Sequence, residues 1–303
     1  MNTGSPGIIA VTGATGFIGR NLSNHFARHG WEVRALVRDT EARPWAEQGV
    51  KSFECVLPDE IDSAALRDAS AVIHCAYVTR HKDLAEARRV NEAGTQRMIE
   101  ICRAAGVPRF VFISSQSAHD GALSYYGQSK RAVELRLTSG RDLVIRPGLV
   151  LGPGDAGLFA RMCETLRHSA VIPLFGGGRQ PLQTVHIDDL CDALLAAILK
   201  DLTGTFTVAE PDPIPMRDFL SALAGRLGRR PLFLPVPMAP ALAVFRAIEL
   251  LRIRLPVSSE NLLGLKQMRA DDTQRDLATL GIRARTALES LNDLFTRTGG
   301  IRS

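Results

Sequence analysis

The amino-acid sequence predicts an α/β protein, with a doubly wound parallel sheet and a smaller, discontinuous C-terminal lobe. Short apolar segments alternate with helix-like segments as far as Gly148, and a glycine-rich turn follows the first of them. Beyond Gly152 this alternation gives way to segments rich in Pro, Gly and Leu. We therefore expect a dinucleotide-binding Rossmann domain from residues 1–153 and 186–210, and a substrate-binding lobe from residues 154–185 and 211–303.

The expected strands are short, β-branched apolar runs that end at glycine, proline or a polar turn. Six of them precede the lobe, at residues 7–12, 32–37, 50–56, 71–76, 109–114 and 143–146. Helices are expected between them at residues 20–29, where Gly30 ends the helix, and at about residues 84–105. A helix at residues 190–199 and a strand at residues 205–208 continue the same pattern.

The composition is that of an ordinary globular protein, since 45% of the 303 residues are hydrophobic and 23% are charged. The formal net charge of +5 comes from basic residues spread along the chain, so we expect no nucleic-acid partner. The five cysteines form no Cys-x-x-Cys pair, and neither a disulfide nor a metal site is expected. No apolar run reaches the ~18 residues of a membrane span. The polar residues before the first strand indicate no signal peptide, so we expect a cytoplasmic location.

The glycine-rich turn is Thr12-Gly-Ala-Thr-Gly-Phe-Ile-Gly19. Glycine permits a tight turn, close approach of the backbone to a pyrophosphate, and close packing of a helix on a strand. The helix that follows offers free N–H groups and the positive end of its dipole to phosphate. Because a strand precedes this turn and a helix follows it, the turn predicts dinucleotide binding. The residues expected to bind are Gly13, Thr15, Gly16, Phe17, Ile18 and Gly19.

The end of the second strand indicates which dinucleotide binds. Sites that prefer NAD usually place an acid here, where it bonds the ribose hydroxyl. In this chain the strand ends at Arg38, whose guanidinium suits the 2′-phosphate of NADP. The adjacent Asp39 could still reach a ribose. The sequence therefore favours NADP(H) over NAD(H).

A tyrosine and a lysine stand four residues apart in Tyr126-Gly-Gln-Ser-Lys130. On a helix this spacing puts both side chains on one face. An ammonium group near a phenol favours the phenolate, so the tyrosine becomes a usable proton donor or acceptor. The pair predicts general acid/base chemistry by Tyr126, whereas its neighbour Tyr125 has no lysine at this spacing.

With both motifs in place, the chain resembles an extended short-chain dehydrogenase/reductase, in the branch called the NAD-dependent epimerase/dehydratase family. The resemblance covers residues 8–208 well and the C-terminal lobe loosely. Besides the two motifs, the matching pieces are His74-Cys-Ala76, Asn91 in its helix, Phe112-Ile-Ser-Ser115, residues 146–153 and residues 185–190.

The resemblance implies a role for each matching residue. Tyr126 would exchange a proton with a substrate oxygen, and Ser115 would hydrogen-bond that oxygen. Lys130 would hold the nicotinamide ribose and lower the pKa of the tyrosine. Asn91 would face the active site. The residues that would lie beside the cofactor are Cys75, Ala76, Pro147, Tyr126 and Lys130.

Several assignments stay open at this point. Ser114, Ser117 or Gln116 could occupy the position given to Ser115 if the strand end is shifted. Asn91 could equally be a mid-helix residue that bonds the backbone. His186 with Asp188 and Asp189 suggests a general base, but we favour a structural interpretation, with a satisfied histidine at a strand end and an aspartate that caps the next helix.

Three departures from the family pattern narrow the function. The acid that reaches adenine after the third strand is displaced here, to Asp59. Gln116-Ser117 stands where the dehydratases carry an Asp-Glu pair, so elimination of water is not expected. Leu182 stands where nucleotide-sugar enzymes commonly carry an arginine, although Arg179 is near.

The sequence therefore favours an NAD(P)(H)-dependent oxidoreductase that transfers a hydride to or from a ketone or secondary alcohol of a small molecule. A nucleotide-sugar epimerase that retains its cofactor is one alternative, and a non-catalytic NADPH-binding accessory subunit is another. A homodimer would fit the family. The apolar segment 235–251 is interpreted as lobe core, with a substrate pocket and a membrane or partner surface as alternatives.

Overall fold

The computed structural model describes residues 6–41, 45, 47–79, 83–154, 157–251 and 258–297. The chain divides into two compact units. The first contains Met1–Ser114, Ser129–Arg146 and Leu190–Phe206, and the second contains Ser115–Gln128, Pro147–Asp189 and Thr207–Ser303. These limits differ from those of the predicted domains, whose assignment stays a prediction.

The predicted strands are all present, each within two residues of its expected limits. In chain order the strands are β1 Ile8–Thr12, β2 Glu32–Val37, β3 Val50–Val56, β4 Glu60–Ile61, β5 Ala69–His74, β6 Phe110–Ile113, β7 Leu143–Pro147, β8 Leu149–Leu151, β9 Val171–Phe175, β10 Pro181–Leu182, β11 Thr184–His186, β12 Gly204–Val208, β13 Ile214–Pro215 and β14 Leu232–Val236.

The helices follow the predicted alternation through the first part of the chain. They are α1 Phe17–Arg28, α2 Leu84–Arg88, α3 Thr95–Ala104, α4 Tyr125–Glu134, α5 Gly157–His168, α6 Ile187–Leu199, α7 Met216–Arg226, α8 Met238–Leu250, α9 Ser259–Lys266, α10 Gln274–Leu280 and α11 Ala287–Arg297. The first helix begins three residues before its predicted start, because it continues directly from the glycine turn.

An eight-stranded sheet has the order β12-β7-β6-β5-β1-β2-β3-β4. The pairs from β7 to β3 are parallel, and β4 joins β3 antiparallel. The chain builds outward from β1 to β3 and then returns to the other side of β1 with β5. The carboxyl ends of β1 and β5 therefore meet at the point where the strand order reverses, where open α/β sheets bind ligands. The predicted doubly wound α/β class is confirmed.

The long helix predicted at about residues 84–105 is continuous but not uniform. Between α2 and α3 the residues Arg89–Gly94 form a π-helical turn. Asn91 lies within this turn, and π turns inside α-helices are frequent at functional sites. The core of the first unit packs sheet residues such as Val72 and Phe112 against Met98 of α3 and Val133 of α4.

Among its described residues, the second unit contains three small sheets, each of two strands. β8 pairs with β11 and β9 with β14 in parallel, while β10 pairs with β13 antiparallel. Its main core packs Leu151 and Phe159 against Phe219 of α7 and Leu291 of α11. A smaller cluster joins Ala241 and Leu242 of α8 to Leu262 of α9.

All five cysteines are free thiols, and four of them are buried. Among the residues that the structure describes, no helix has the length and apolar content needed to cross a bilayer.

Candidate active site

The glycine turn after β1 is a close-packed cradle. Gly13 has a φ of 62°, and a Cβ atom added there would lie 2.7 Å from the backbone nitrogen of Ala76. A Cβ atom at Gly19 would lie 2.3 Å from the carbonyl oxygen of Gly13. The amide of Gly16 closes the turn with a 2.9 Å bond to that same oxygen. Neither Gly13 nor Gly19 can carry a side chain without moving the turn.

The N-terminus of α1 is open to an anion. Its N-cap residue is Gly16, so no N-cap side chain covers the first N–H groups of the helix, and the first turn contains no acidic residue. Thr15 and Gly16 are exposed, while Phe17 and Ile18 are partly buried. Free N–H groups and the positive helix end suit the pyrophosphate of a dinucleotide. The residues that follow the carboxyl end of β1 therefore fit the predicted dinucleotide cofactor.

A chain of hydrogen bonds ties the ends of β1 and β5 to the long helix. His74 is fully buried, and its Nδ1 atom accepts from the Thr12 hydroxyl at 2.8 Å. Its Nε2 atom donates to Thr95 Oγ1 at 3.0 Å, and the Thr95 hydroxyl donates to the carbonyl oxygen of Asn91 at 2.6 Å. Burial, with the nearby charge of Lys130, lowers the pKa of His74 to about 3, so the imidazole is neutral.

Sequence reasoning gave His74 a place in the family motif but no role of its own. Thr12 and His74 are partners in the β1–β5 register, and Thr12 Oγ1 also accepts from the Ala76 amide at 3.2 Å. These bonds fix the cofactor-side loop, in which Cys75 and Ala76 are partly buried. The sequence does contain a signal for this role, because a polar residue such as His74 at the end of an otherwise apolar parallel strand needs a hydrogen-bond partner.

Lys130 of α4 is buried, with 4% of its surface exposed. Its Nζ atom donates to the carbonyl oxygen of Ile113 at 2.7 Å and lies over the rings of Tyr77 and Phe112, at 4.4 and 4.6 Å from their centroids. Burial lowers the pKa of Lys130 to about 7, since a charged ammonium loses water there. Cys75 and Glu134 oppose this shift.

Of these two groups, Glu134 is the one that forms an ion pair, with Arg146. Burial raises the pKa of the Cys75 thiol to about 12, so the thiol is protonated. Glu134 lies one helical turn beyond Lys130, and its side chain is only 3% exposed. It accepts from Arg146 Nε at 2.8 Å and from the Ser114 hydroxyl at 2.6 Å. Sequence reasoning missed Glu134, although its spacing from Lys130 places both on one face of α4.

The serine that stands beside Tyr126 is Ser115. The Tyr126 side chain is hydrogen-bonded to that of Ser115, and Ser115 Oγ also accepts from the amide of Ser117 at 3.1 Å. Ser114 is committed to Glu134, and the Gln116 side chain donates to Gln183 Oε1 at 2.8 Å. Of the four residues that the sequence left as alternatives, Ser115 is the one whose side chain is hydrogen-bonded to Tyr126.

The phenol of Tyr126 is partly removed from water, although the residue stays accessible at the surface. Burial raises the pKa of its phenol, and the hydrogen bond with Ser115 lowers that pKa in part. The residue as a whole is 37% exposed. Lys130 follows one turn later on the same helix, as the spacing predicts. A phenol held by a serine hydroxyl is suited to deliver a proton to a substrate oxygen.

A helix from the C-terminal part of the second unit caps the start of α4. The Glu260 carboxylate of α9 accepts from the amide of Tyr125 at 2.6 Å. The Gln267 side chain, just past α9, bonds the amide of Leu123 and the carbonyl oxygen of Gly121. Ser124 adds a 3.3 Å bond to the amide of Gly127. These partners satisfy N–H groups that a helix start leaves open.

Other predicted site residues lie in different settings. The side-chain amide of Asn91 is hydrogen-bonded to the backbone of Val78. It accepts from the Val78 N–H at 2.7 Å and donates to the Val78 oxygen at 3.1 Å.

Arg38 and Asp39 are exposed just beyond β2, and Asp39 accepts from the amide of Glu41. Pro147 is buried at the end of β7.

His186 lies at the end of β11, where it was expected. The predicted capping aspartate is wrong, because α6 begins at Ile187 and both Asp188 and Asp189 lie within its first turn rather than before it. The Asp189 carboxylate accepts from the amide and Nε of Arg285, at 2.8 and 2.9 Å. His186 Nδ1 accepts from the Asp188 amide at 3.2 Å, and its Nε2 lies 3.6 Å from Asp293, which Arg285 also binds. Burial, and then the charge of Arg285, lowers the pKa of His186. An arginine amid these carboxylates disfavours both a metal ion and a free general base.

Comparison with known proteins assigns the fold and the family. A model of the NAD dependent epimerase/dehydratase family matches residues 9–209. A ceramide reductase of Caulobacter vibrioides is 31% identical over 247 residues, covering 78% of this chain and 76% of the relative. The crystal structure of the protein gox2253 has a TM-score of 0.80 at 22% identity, covering 98% of this chain and 99% of that chain, and shows the same fold.

The curated relatives include both reductases and sugar epimerases. A 2-alkyl-3-oxoalkanoate reductase of Stenotrophomonas maltophilia is 26% identical over 254 residues, covering 73% of this chain and 76% of the relative. A UDP-glucose 4-epimerase of Vibrio cholerae is 27% identical over 268 residues, covering 77% of this chain and 80% of the relative. The predicted resemblance is confirmed: the chain belongs to the NAD-dependent epimerase/dehydratase family and is an enzyme of this NAD(P)-dependent reductase and epimerase group.

Proposed function

We propose that this enzyme is an NADPH-dependent reductase that converts a ketone of a small molecule into a secondary alcohol, with Tyr126 as the proton donor. The observation that carries the proposal is the hydrogen bond between the Tyr126 and Ser115 side chains, one helical turn before a buried Lys130. A carbonyl oxygen that gains negative charge needs such a donor and a second hydroxyl beside it.

Each residue has a distinct role in this scheme. The bound dinucleotide supplies the hydride. Ser115 donates a hydrogen bond to the substrate oxygen, and Tyr126 transfers its proton to that oxygen as charge develops. The ammonium form of Lys130 stabilises the phenolate that remains. The cradle of Gly13, Gly16 and Gly19 holds the pyrophosphate, and Cys75, Ala76 and Pro147 line the cofactor side.

In this proposal Asn91 has a structural role rather than a catalytic one. Its amide bonds both backbone polar groups of Val78, so it holds the loop that follows β5. The hydrogen bonds from Asn91 through Thr95 to His74 join that loop to the glycine turn. We therefore treat Asn91 as a residue that positions the cofactor side of the site.

Arg38 supports NADPH as the preferred cofactor. It is exposed just past β2, where a 2′-phosphate is recognised in this fold, and its guanidinium can bond two phosphate oxygens at once. Thermal unfolding with each cofactor tests this point, because a ligand that binds only the folded chain stabilises it. We expect NADPH to raise the Tm more than NADH, and Arg38→Ala to remove the difference. Equal shifts in the wild-type enzyme would overturn the preference.

The relatives support an apolar carbonyl substrate. Their names include a ceramide reductase and a 2-alkyl-3-oxoalkanoate reductase, and both names denote reductases of molecules with alkyl chains. Gln116-Ser117 replaces the acid pair of the dehydratases, and Leu182 replaces a phosphate-binding arginine. We propose a long-chain oxo compound rather than a sugar nucleotide as the substrate class.

Consumption of NADPH with a 2-alkyl-3-oxoalkanoate tests the reaction directly. Tyr126→Phe is expected to lower kcat on the order of 10²–10⁴-fold, because it removes the general acid. Tyr125→Phe is the matched control and should leave kcat within a few-fold, since that hydroxyl has no part in the scheme. If UDP-sugars were epimerised with no net change in the cofactor, the enzyme would be an epimerase. Full activity in Tyr126→Phe would overturn the role given to Tyr126. Binding of NADPH by the wild type without turnover of any carbonyl compound would favour the accessory-subunit alternative.

A further inference from the structure

Helix α8 presents an apolar stripe to solvent. We define the α8 stripe as Pro240, Ala243, Val244, Ala247, Leu250 and Leu251, all of which are exposed. Val244 is 55%, Leu250 85% and Leu251 71% exposed. Their spacing of three and four residues places them along one side of the helix. An apolar row of this length on a surface marks an interaction site.

The opposite side of α8 packs against the rest of the second unit. Ala241 and Leu242 are buried against Leu262 of α9, and Phe245 packs edge-to-face on Phe175 at 5.9 Å between ring centroids. The helix is therefore apolar on both sides, and only one side is used by the core of the second unit. The prediction that segment 235–251 is lobe core therefore holds for the buried side of α8 and not for its exposed side.

Basic residues outnumber acidic ones in the sequence around the stripe. Residues 219–248 contain four arginines, Arg226, Arg229, Arg230 and Arg246, and no aspartate or glutamate. Arg229, Arg230 and Arg246 are exposed. The first acid after them, Glu249, is held by the amide and hydroxyl of Ser259 at 2.7 and 2.6 Å. Arg252 and Arg254 follow in the sequence, outside the described residues.

Strand β14, which lies in the sequence between Arg230 and α8, adds exposed apolar side chains. Leu232 and Leu234 are 65% and 50% exposed, and their register partners on β9 are Val171 and Pro173, which are also exposed. Arg229 and Arg230 come directly before this strand. Apolar side chains flanked by arginines are the pattern of a segment that lies in the headgroup region of a membrane.

We propose that the α8 stripe, with the exposed side of β14, binds the surface of an anionic lipid bilayer. The apolar side chains enter the boundary between headgroups and acyl chains, while the arginines bind lipid phosphates and carboxylates. The chain then lies on the membrane without crossing it. This proposal rests on the exposed side chains alone and is independent of the proposed reaction.

Sedimentation of the full chain with vesicles tests the proposal. We expect binding to vesicles of phosphatidylcholine mixed with phosphatidylserine, several-fold weaker binding to phosphatidylcholine alone, and loss of the difference at high salt. The variant Val244→Ser/Leu250→Ser/Leu251→Ser should lose most of the bound fraction, and Arg246→Gln should lose part of it. Leu199→Ser, which alters a leucine that is 67% exposed elsewhere, is the control and should bind like the wild type.

Two outcomes would overturn the proposal. One is failure of the wild-type chain to sediment with either kind of vesicle. The other is a dimer in light scattering that the triple serine variant converts to monomer, which would assign the stripe to a second copy of this chain. Circular dichroism and thermal unfolding establish that each variant is folded, and the substituted side chains are exposed, so we expect wild-type curves.

Discussion

The carboxylate of Glu260 accepts a hydrogen bond from the backbone amide of Tyr125, at 2.6 Å. Tyr125 is the first residue of α4, and the proposed proton donor Tyr126 is the second. A carboxylate at a helix start stabilises the helix by about 0.5–2 kcal/mol, through the bond to the amide and the helix dipole. A side chain from α9 therefore holds the end of α4 that carries Tyr126.

Glu260→Ala is expected to lower kcat several-fold with a smaller change in KM, because the start of α4 loses its acceptor. The free energy of unfolding should fall by about 1 kcal/mol. Glu260→Gln keeps an oxygen acceptor and should recover most of kcat. Steady-state kinetics and urea denaturation of both variants provide the measurement. Equal kcat for all three enzymes would show that the cap has no part in placing Tyr126.

Lys130 is expected to make stability depend on pH. Its pKa of about 7 in the folded chain lies below its ordinary value of 10.5, so the unfolded chain binds more protons between these values. The free energy of unfolding should therefore rise with pH through this window and fall as the pH approaches 7. Relative to Lys130→Met, the wild type should gain at most about 1.4 kcal/mol per pH unit.

Urea denaturation of the wild type and Lys130→Met from pH 6 to pH 10 tests this dependence, in steps that span the titration window. Lys200→Met, at an exposed lysine, is the control for the loss of one lysine from the chain. A difference between the wild type and Lys130→Met that does not change with pH would show that Lys130 stays charged in the folded chain.

Glu134 is expected to be among the most costly charges to remove. It is buried, four residues after Lys130 on α4, and binds Arg146 and Ser114. Loss of one partner of a fully buried ion pair costs about 3–5 kcal/mol. Because the Arg146 side chain is 19% exposed, we expect a smaller cost for this pair. We expect Glu134→Gln to lower the free energy of unfolding by about 2–3 kcal/mol.

The matched control for Glu134 is an exposed acid in a weak ion pair. Glu100 lies 3.7 Å from Arg97, and about half of each side chain is exposed. Glu100→Gln should change the free energy of unfolding by less than about 0.5 kcal/mol. Similar losses for both variants would contradict the structural role given to Glu134.

Two helical glycines are expected to respond in opposite ways to alanine. A Cβ atom at Gly19 would lie 2.3 Å from the Gly13 oxygen, whereas one at Gly225 of α7 would meet nothing within 4 Å. Gly225→Ala should stabilise the chain by about 0.5–1 kcal/mol. Gly19→Ala should displace the glycine turn and abolish the thermal shift that NADPH and NADH produce. An unchanged shift in Gly19→Ala would mean that the cofactor does not bind at this turn.

Local chemistry along the chain was enough to predict the glycine turn, the Tyr126/Lys130 pair and every strand of the large sheet except β4, but not the strands of the small sheets. Apolar runs that end at glycine or proline mark buried parallel strands, and a four-residue spacing defines one helix face whatever surrounds it. The family motifs then gave the dinucleotide fold, because each depends on residues that are close in sequence.

The tertiary structure decided everything that depends on distant partners. It committed Ser114 to Glu134 and left Ser115 for Tyr126, and it placed Glu260 at the start of α4 across more than a hundred residues of sequence. It also lowered the pKa of Lys130, because burial depends on the packed neighbours rather than on spacing. The sequence by itself determined which groups could react, and packing decided which of them meet and in which protonation state.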